Sequence, residues 1–221
     1  MDARQWSVKV GSDAVTAVLD PAATGAQAPI FVFAHGAGGH MTDRGTLALA
    51  TMLCARGVSV VRFNFPYSER GSRRPDPMPV LRECIEAVVA RVASEIDAPR
   101  WILGGRSMGG RAASMLAAGG FACDALLLLA YPLHPAGEPA KLRDAHLARI
   151  GVPVLCFNGT RDALCRRDLM DAVVGRLSTN WRMHWLEGAD HSFHVLKASG
   201  RTDADILDEI GHATGHWVRN L

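Results

Sequence analysis

Lysine is almost missing from this chain. Of 24 basic residues in 221, only Lys9, Lys141 and Lys197 are lysines, and 22 acids leave a net charge of +2. So small an excess does not serve a nucleic-acid or other polyanion partner, whose phosphates must be neutralised by many cations. Long apolar runs are missing too. The longest strongly apolar stretch, Ala125 to Tyr131, is far below the roughly 20 residues that span a bilayer. The opening Met1-Asp2-Ala3-Arg4-Gln5-Trp6 lacks the apolar core of a secretory signal. Cysteine is present but unpatterned. Cys54, Cys84, Cys123, Cys156 and Cys165 are odd in number, widely spread and without a C-x-x-C pair, which argues for reduced thiols rather than a disulfide framework. The expectation is a cytoplasmic protein, with no membrane and no nucleic-acid partner.

Residues of hydrophobic type make up 48% and charged residues 21%, an ordinary globular balance. No repeat, low-complexity tract or linker divides the chain, so residues 1–221 read as one domain. Short β-rich runs are expected at Trp6–Val10, Ala14–Leu19, Ile30–Ala34, Val58–Asn64, Trp101–Gly104, Ala125–Ala130, Val154–Asn158 and Arg182–Leu186. The first two alternate and suit an antiparallel hairpin. Most later ones are continuously apolar, as parallel strands covered on both faces must be. Helices are expected at Arg44–Arg56, with Asp43 as N-cap and Gly57 after its end, and at Pro79–Ile96, Met108–Ala118, Asp168–Leu177 and Ala204–Val218. The second would turn Val80, Cys84, Ala87, Val88 and Arg91 to one face. Alternating strands and helices predict an α/β fold: a doubly wound, mostly parallel sheet of about 7–8 strands, with its chemistry at the C-terminal strand ends.

The most informative stretch is Trp101-Ile102-Leu103-Gly104-Gly105-Arg106-Ser107-Met108-Gly109-Gly110. An apolar strand enters Gly105-x-Ser107-x-Gly109, and an Ala-rich helix leaves it. That is the context of a nucleophile elbow, a turn so tight that its serine is strained and its neighbours must be glycine. A second Gly-rich turn, His35-Gly36-Ala37-Gly38-Gly39, follows the strand Ile30–Ala34. The expected oxyanion donors are the backbone N–H groups of Met108 and Ala37. A phosphate-binding loop would need Gly-Lys-Ser/Thr where Gly39-His40-Met41 stands, and a dinucleotide fingerprint would need glycine at Met41.

An acid and a base follow in order. Asp162 lies just after the strand ending at Asn158, where its loop can reach a later histidine. Asp168 reads instead as a helix N-cap. His191 lies in the loop Glu187-Gly188-Ala189-Asp190-His191-Ser192-Phe193-His194. His194 is expected to flank and pack on the last helix. Asp190 is a weaker acid candidate, since neighbouring side chains point apart. His191 and His194 lack a third ligand nearby, so neither a metal nor any cofactor is expected. The order Ser107, Asp162, His191 is that of α/β-hydrolases, and it implies acyl transfer at a serine.

The motifs Phe33-Ala34-His35-Gly36-Ala37-Gly38, Arg62-Phe63-Asn64-Phe65-Pro66-Tyr67, Gly104-Gly105-Arg106-Ser107-Met108-Gly109-Gly110, Tyr131-Pro132-Leu133-His134-Pro135, Lys141-Leu142-Arg143-Asp144-Ala145-His146-Leu147 and Asp190-His191-Ser192-Phe193 together carry a resemblance. From about Phe31 onward the chain resembles the small, lidless hydrolases related to dienelactone hydrolase. Within them it is similar to the branch holding the testis-expressed protein and the third subunit of the non-specific-lethal chromatin complex. The resemblance implies an α/β-hydrolase fold with Ser107, Asp162 and His191 as its catalytic set. Dienelactone hydrolase has cysteine where Ser107 stands, so its substrate is not carried over.

The roughly twenty residues from Pro132 to Val152 are too few for a helical cap, and an open site for small substrates follows. The expected function is cleavage of a small ester or thioester by a monomer or homodimer. The competing reading, from branch members that serve within an assembly, is a catalytically silent protein-binding module. Arg106, His35 and Tyr67 are the candidates for substrate contact, with His35 more fitted to tying loops together. Arg70, Arg73 and Arg74 fall in the polar loop 67–79, read as a solvated surface.

Overall fold

The structure, a computed structural model, describes residues 3–177 and 180–221. Of the N-terminal hexapeptide read for a signal, Met1 and Asp2 lie outside the described residues. Eight strands form one sheet: β1 Arg4–Val10, β2 Asp13–Asp20, β3 Ile30–Ala34, β4 Ser59–Phe63, β5 Trp101–Arg106, β6 Ala125–Leu129, β7 Val154–Gly159 and β8 Trp181–Leu186, in the order β1-β2-β4-β3-β5-β6-β7-β8. β1 and β2 make the expected antiparallel hairpin, and β2 pairs antiparallel with β4. All pairings from β4 to β8 are parallel.

The helices are α1 Arg44–Ala55, α2 Pro66–Glu69, α3 Met78–Ala93, α4 Met108–Ala118, α5 Arg167–Val174 and α6 Asp203–Arg219. They cover both faces. Leu126 and Leu128 of β6 pack with the side of α3, α4 and α5, while Leu127 and Leu129 pack with the side of α1 and α6. The strand has period two, yet both its faces are buried, so every residue is apolar. Segment 130–153 carries no α-helix, and no cap domain covers the strand ends.

Four local expectations are corrected. Asp43 occupies the N-cap position of α1 but makes no cap bond, because its Oδ2 accepts from the N–H of His40 at 2.7 Å. α3 buries Leu81, Cys84, Ile85, Val88, Val89 and Val92, a face rotated toward Leu81 and Ile85. The buried stripe follows the large apolar side chains, whereas Val80, Ala87 and Arg91 lie at its edges. Asp168 is not the cap of α5. The helix starts at Arg167 after Arg166, and Asp168 sits in its first turn, paired with the Arg166 guanidinium. The polar loop 67–79 opens with the helical turn α2, made possible by Pro66 at its first position. Among the described residues, only the last helix has a full capping box: Thr202 Oγ1 accepts from Asp205 N at 3.2 Å, and Asp205 Oδ2 accepts from Thr202 N at 2.7 Å.

Between α4 and segment 130–153, Ser114 Oγ lies 2.8 Å from the Arg111 carbonyl and 2.8 Å from His146 Nε2. A hydroxyl donating to the carbonyl leaves its oxygen to accept from the imidazole. Burial, aided by the Arg111 and Arg149 charges, pushes His146 down from 6.5 to about 4.

Two predictions follow from this packing. Leu127→Ala and Leu128→Ala, on opposite faces, should each destabilise by about 2–5 kcal/mol in chemical denaturation. A large loss at only one would show a sheet covered on one face. Because the folded pKa of His146 is depressed, its contribution is intact above pH 6.5 and lost as pH falls toward 4. Thermal melts across that window should slope less steeply in His146→Gln than in wild type, and equal slopes would show that His146 does not titrate against folding.

Candidate active site

β5 ends in a tight turn. Ser107 takes φ 50° and ψ −115°, and α4 begins at the next residue. A non-glycine there stores about 1–3 kcal/mol of strain. Two glycines permit it. Gly105 has φ +143°, and a Cβ on it would lie 2.1 Å from the Ala34 carbonyl oxygen. A Cβ on Gly109 would lie 2.3 Å from that oxygen and 2.5 Å from the His35 carbonyl oxygen. The end of β3 therefore runs backbone against backbone with the turn. Ser107 N–H donates to the Leu129 carbonyl at 2.8 Å, fixing the turn from its other side. The serine thus stands at the N-terminus of α4, where peptide dipoles favour negative charge.

The loop after β3 is held from below. His35 is buried; its Nδ1–H donates to the Gly36 carbonyl at 2.8 Å, and its Nε2 accepts from Phe65 N–H at 3.2 Å. Burial lowers its pKa and so favours this neutral form. Tyr67 Oη donates to the Gly36 carbonyl at 3.2 Å, and Ser68 Oγ to the Gly39 carbonyl at 2.9 Å. Asn64 Oδ1 accepts from Met41 N–H at 2.9 Å, and Arg62 Nη1 donates to the Met41 carbonyl at 2.7 Å. The motif from Arg62 to Ser68 is a cradle for this loop. Among the described residues, neither Ala37 N–H nor Met108 N–H donates to a protein acceptor.

Asp162, its carboxylate fully buried, follows β7. Its oxygens accept from Leu164 N–H at 2.8 Å and from Asn158 Nδ2 at 3.1 Å. His191 stands after β8, with Nδ1 2.8 Å and 3.0 Å from the two Asp162 oxygens and Nε2 2.9 Å from Ser107 Oγ. An Nδ1–H donating to the carboxylate leaves Nε2 free to accept the serine proton. Asp190 is directed away from the ring: its Oδ1 accepts from Ser192 and His194 N–H at 2.7 and 3.0 Å and shapes the loop. His194 is exposed and pairs with Asp203 at the start of α6 at 3.0 Å, so it flanks that helix without packing on it.

A cavity of about 470 Å³ opens above these groups, lined by Ala37, Ser107, His191, Leu164, Arg106 and His35 among others. Of the three candidates for substrate contact, Arg106 and His35 line it, but His35 is 1% exposed and both its ring nitrogens are bonded to backbone. Tyr67, also 1% exposed, is not in the lining, and its hydroxyl is spent on Gly36. Arg70 is anchored to Asp13 at 2.5 Å and Asp76 at 2.7 Å, which ties the loop to the β1–β2 hairpin. Asn158 escaped the sequence reading. Nothing in an apolar strand's last polar residue marks it as the donor that orients Asp162.

A family model described as an alpha/beta hydrolase domain matches residues 27–219. The chain belongs to the α/β-hydrolase family. Three solved structures show the same fold. One is Est1E from Butyrivibrio proteoclasticus, solved with ferulic acid bound: 17% identity, TM-score 0.77, covering 97% of this chain and 98% of that one. Another is an α/β serine hydrolase without a lid from Xanthomonas campestris, at 19% identity and TM-score 0.76, covering 98% and 95%. The third is a dienelactone hydrolase from Anabaena variabilis, at 17% identity and TM-score 0.75, covering 99% and 97%. The expected small lidless α/β-hydrolase architecture is therefore the one present.

Gly109→Ala should lower the melting temperature, at a cost of about 1–3 kcal/mol or more from overpacking. Gly151→Ala, where a Cβ meets nothing within 4 Å, should be within about 0.5 kcal/mol of wild type. Equal melting of both variants would show that β3 and the turn are not in close contact.

Proposed function

We propose that the protein is a serine hydrolase that cleaves small esters or thioesters through an acyl-enzyme. The observation that carries this reading is the unbroken relay from Ser107 Oγ through His191 to the buried Asp162, opening on a cavity beside two uncommitted N–H groups.

On this reading His191 Nε2 removes the Ser107 proton as the hydroxyl attacks the substrate carbonyl. The tetrahedral oxyanion is held by Ala37 and Met108 N–H, at the positive end of α4. Asp162 keeps the proton on Nδ1 and stabilises the imidazolium. That imidazolium then protonates the departing alkoxide or thiolate. Water, losing a proton to His191, attacks the acyl carbonyl and frees Ser107. Without a cap domain the cavity is open to solvent, which favours small or exposed substrates.

A fluorophosphonate probe should label wild type, with Ser107→Ala unlabelled. Asp162→Asn should keep the fold and lose about 10⁴-fold in kcat, as loss of the orienting acid does elsewhere. Folded wild type that takes no label would overturn the reading in favour of a silent binding module.

A further inference from the structure

Arg106 ends β5, between the nucleophile turn and a second cavity. The residue is part-buried, and that burial lowers its pKa. Yet it forms no ion pair among the described residues. Its one polar contact is a hydrogen bond from Nη2 to the His191 carbonyl at 3.2 Å, and it lies 5.8 Å from the centre of the Phe193 ring. Asp43, Asp162 and Asp190 act on it only through space. Asp43 is engaged by His40 N–H, Asp162 by His191, and Asp190 by its own loop. A part-buried cation with no paired carboxylate keeps its donors free for an anion that enters the cavities.

The space around it indicates where that anion would sit. Arg106 and Gly45 line both the Ser107 cavity and a second cavity of about 470 Å³. A side chain on Gly45 would begin 3.5 Å from Arg106 Nη1, so the missing side chain leaves that face of the guanidinium open. The second cavity is walled by Leu49, Phe193 and Leu207, with Arg44 at its edge. Its one acid, Asp203, is taken by His194 and by Val195 N–H at 3.0 Å. The lining is thus apolar with a cationic surplus.

We infer that Arg106 is a specificity-determining residue that binds a carboxylate carried by the substrate, seating it where the two cavities meet. A carboxylate fits because its two oxygens match one guanidinium fork. This inference rests on the hydrolase reading above and names the substrate class of that site. The body of such a substrate lies along the apolar second cavity while its scissile carbonyl stays at Ser107.

The test uses matched probes on the full chain. p-Nitrophenyl hemisuccinate, hemiglutarate and hemiadipate, against the neutral p-nitrophenyl esters of equal length, place the carboxylate on the acyl side. 4-Carboxyphenyl acetate against phenyl acetate places it on the leaving side. In at least one set wild type should prefer the anionic member, and Arg106→Gln should lower the anionic-to-neutral ratio of kcat/KM by about 10- to 100-fold. Ala204→Phe, an exposed position lining the second cavity, should impair the longer anionic esters and spare acetate. Hydrolysis with no anionic preference in either set, or an equal loss of both members in Arg106→Gln, overturns the inference and makes Arg106 a structural pin of the His191 loop. Absence of hydrolysis of every probe would instead count against the hydrolase reading itself.

Discussion

The site depends on one close approach, that of β3's last carbonyls to the turn between β5 and α4. With glycine at 105 and 109, the oxygens of Ala34 and His35 sit where a Cβ would otherwise stand. This contact brings the loop bearing Ala37 level with Ser107 and sets the serine on the N-terminus of α4. The strain at Ser107 persists because the parallel pairs β3–β5 and β5–β6 and the bond to Leu129 hold the turn from both sides. A looser turn would relax the serine and move it away from His191.

Around that contact the buried polar groups are satisfied in a directed way. His35, Asn64 and Ser68 each give one bond to backbone of the loop after β3, which holds that loop before any ligand arrives. Asn158 binds Tyr131 on both its amide atoms and still donates to Asp162. Such preorganisation lets dipoles act on developing charge without first reorienting. Arg106 departs from the pattern: it is part-buried but bound only to one carbonyl. Its charge is left to face the space beside Ser107.

Much of this was legible in the sequence because the fold's constraints are local there. β3 and α4 were placed to the residue, since the apolar run ends abruptly at His35-Gly36 and the Ala-rich run at Gly119-Gly120. Ser107, Asp162 and His191 were each read at a strand end, and the structure brings those three side chains within hydrogen-bonding distance. What was not legible depends on contacts distant in sequence. α2 forms under the glycine loop, and Tyr67 turns inward to Gly36 rather than to the cavity. Asp43 gives up its capping role to His40. The buried face of α3 rotates to suit large side chains. The second cavity joins α1, α6 and the His191 loop, which no single stretch of sequence records.

The central claim is that Ser107 carries the acyl group between the two halves of the reaction. The most direct measurement is rapid-mixing hydrolysis of a p-nitrophenyl ester, with acid-quenched samples analysed by intact and peptide mass spectrometry. The account predicts a burst of p-nitrophenol of about one equivalent per chain, and the acyl mass on the peptide containing Ser107. Turnover with no burst and no acylated peptide, in samples quenched before the first turnover ends, would contradict it.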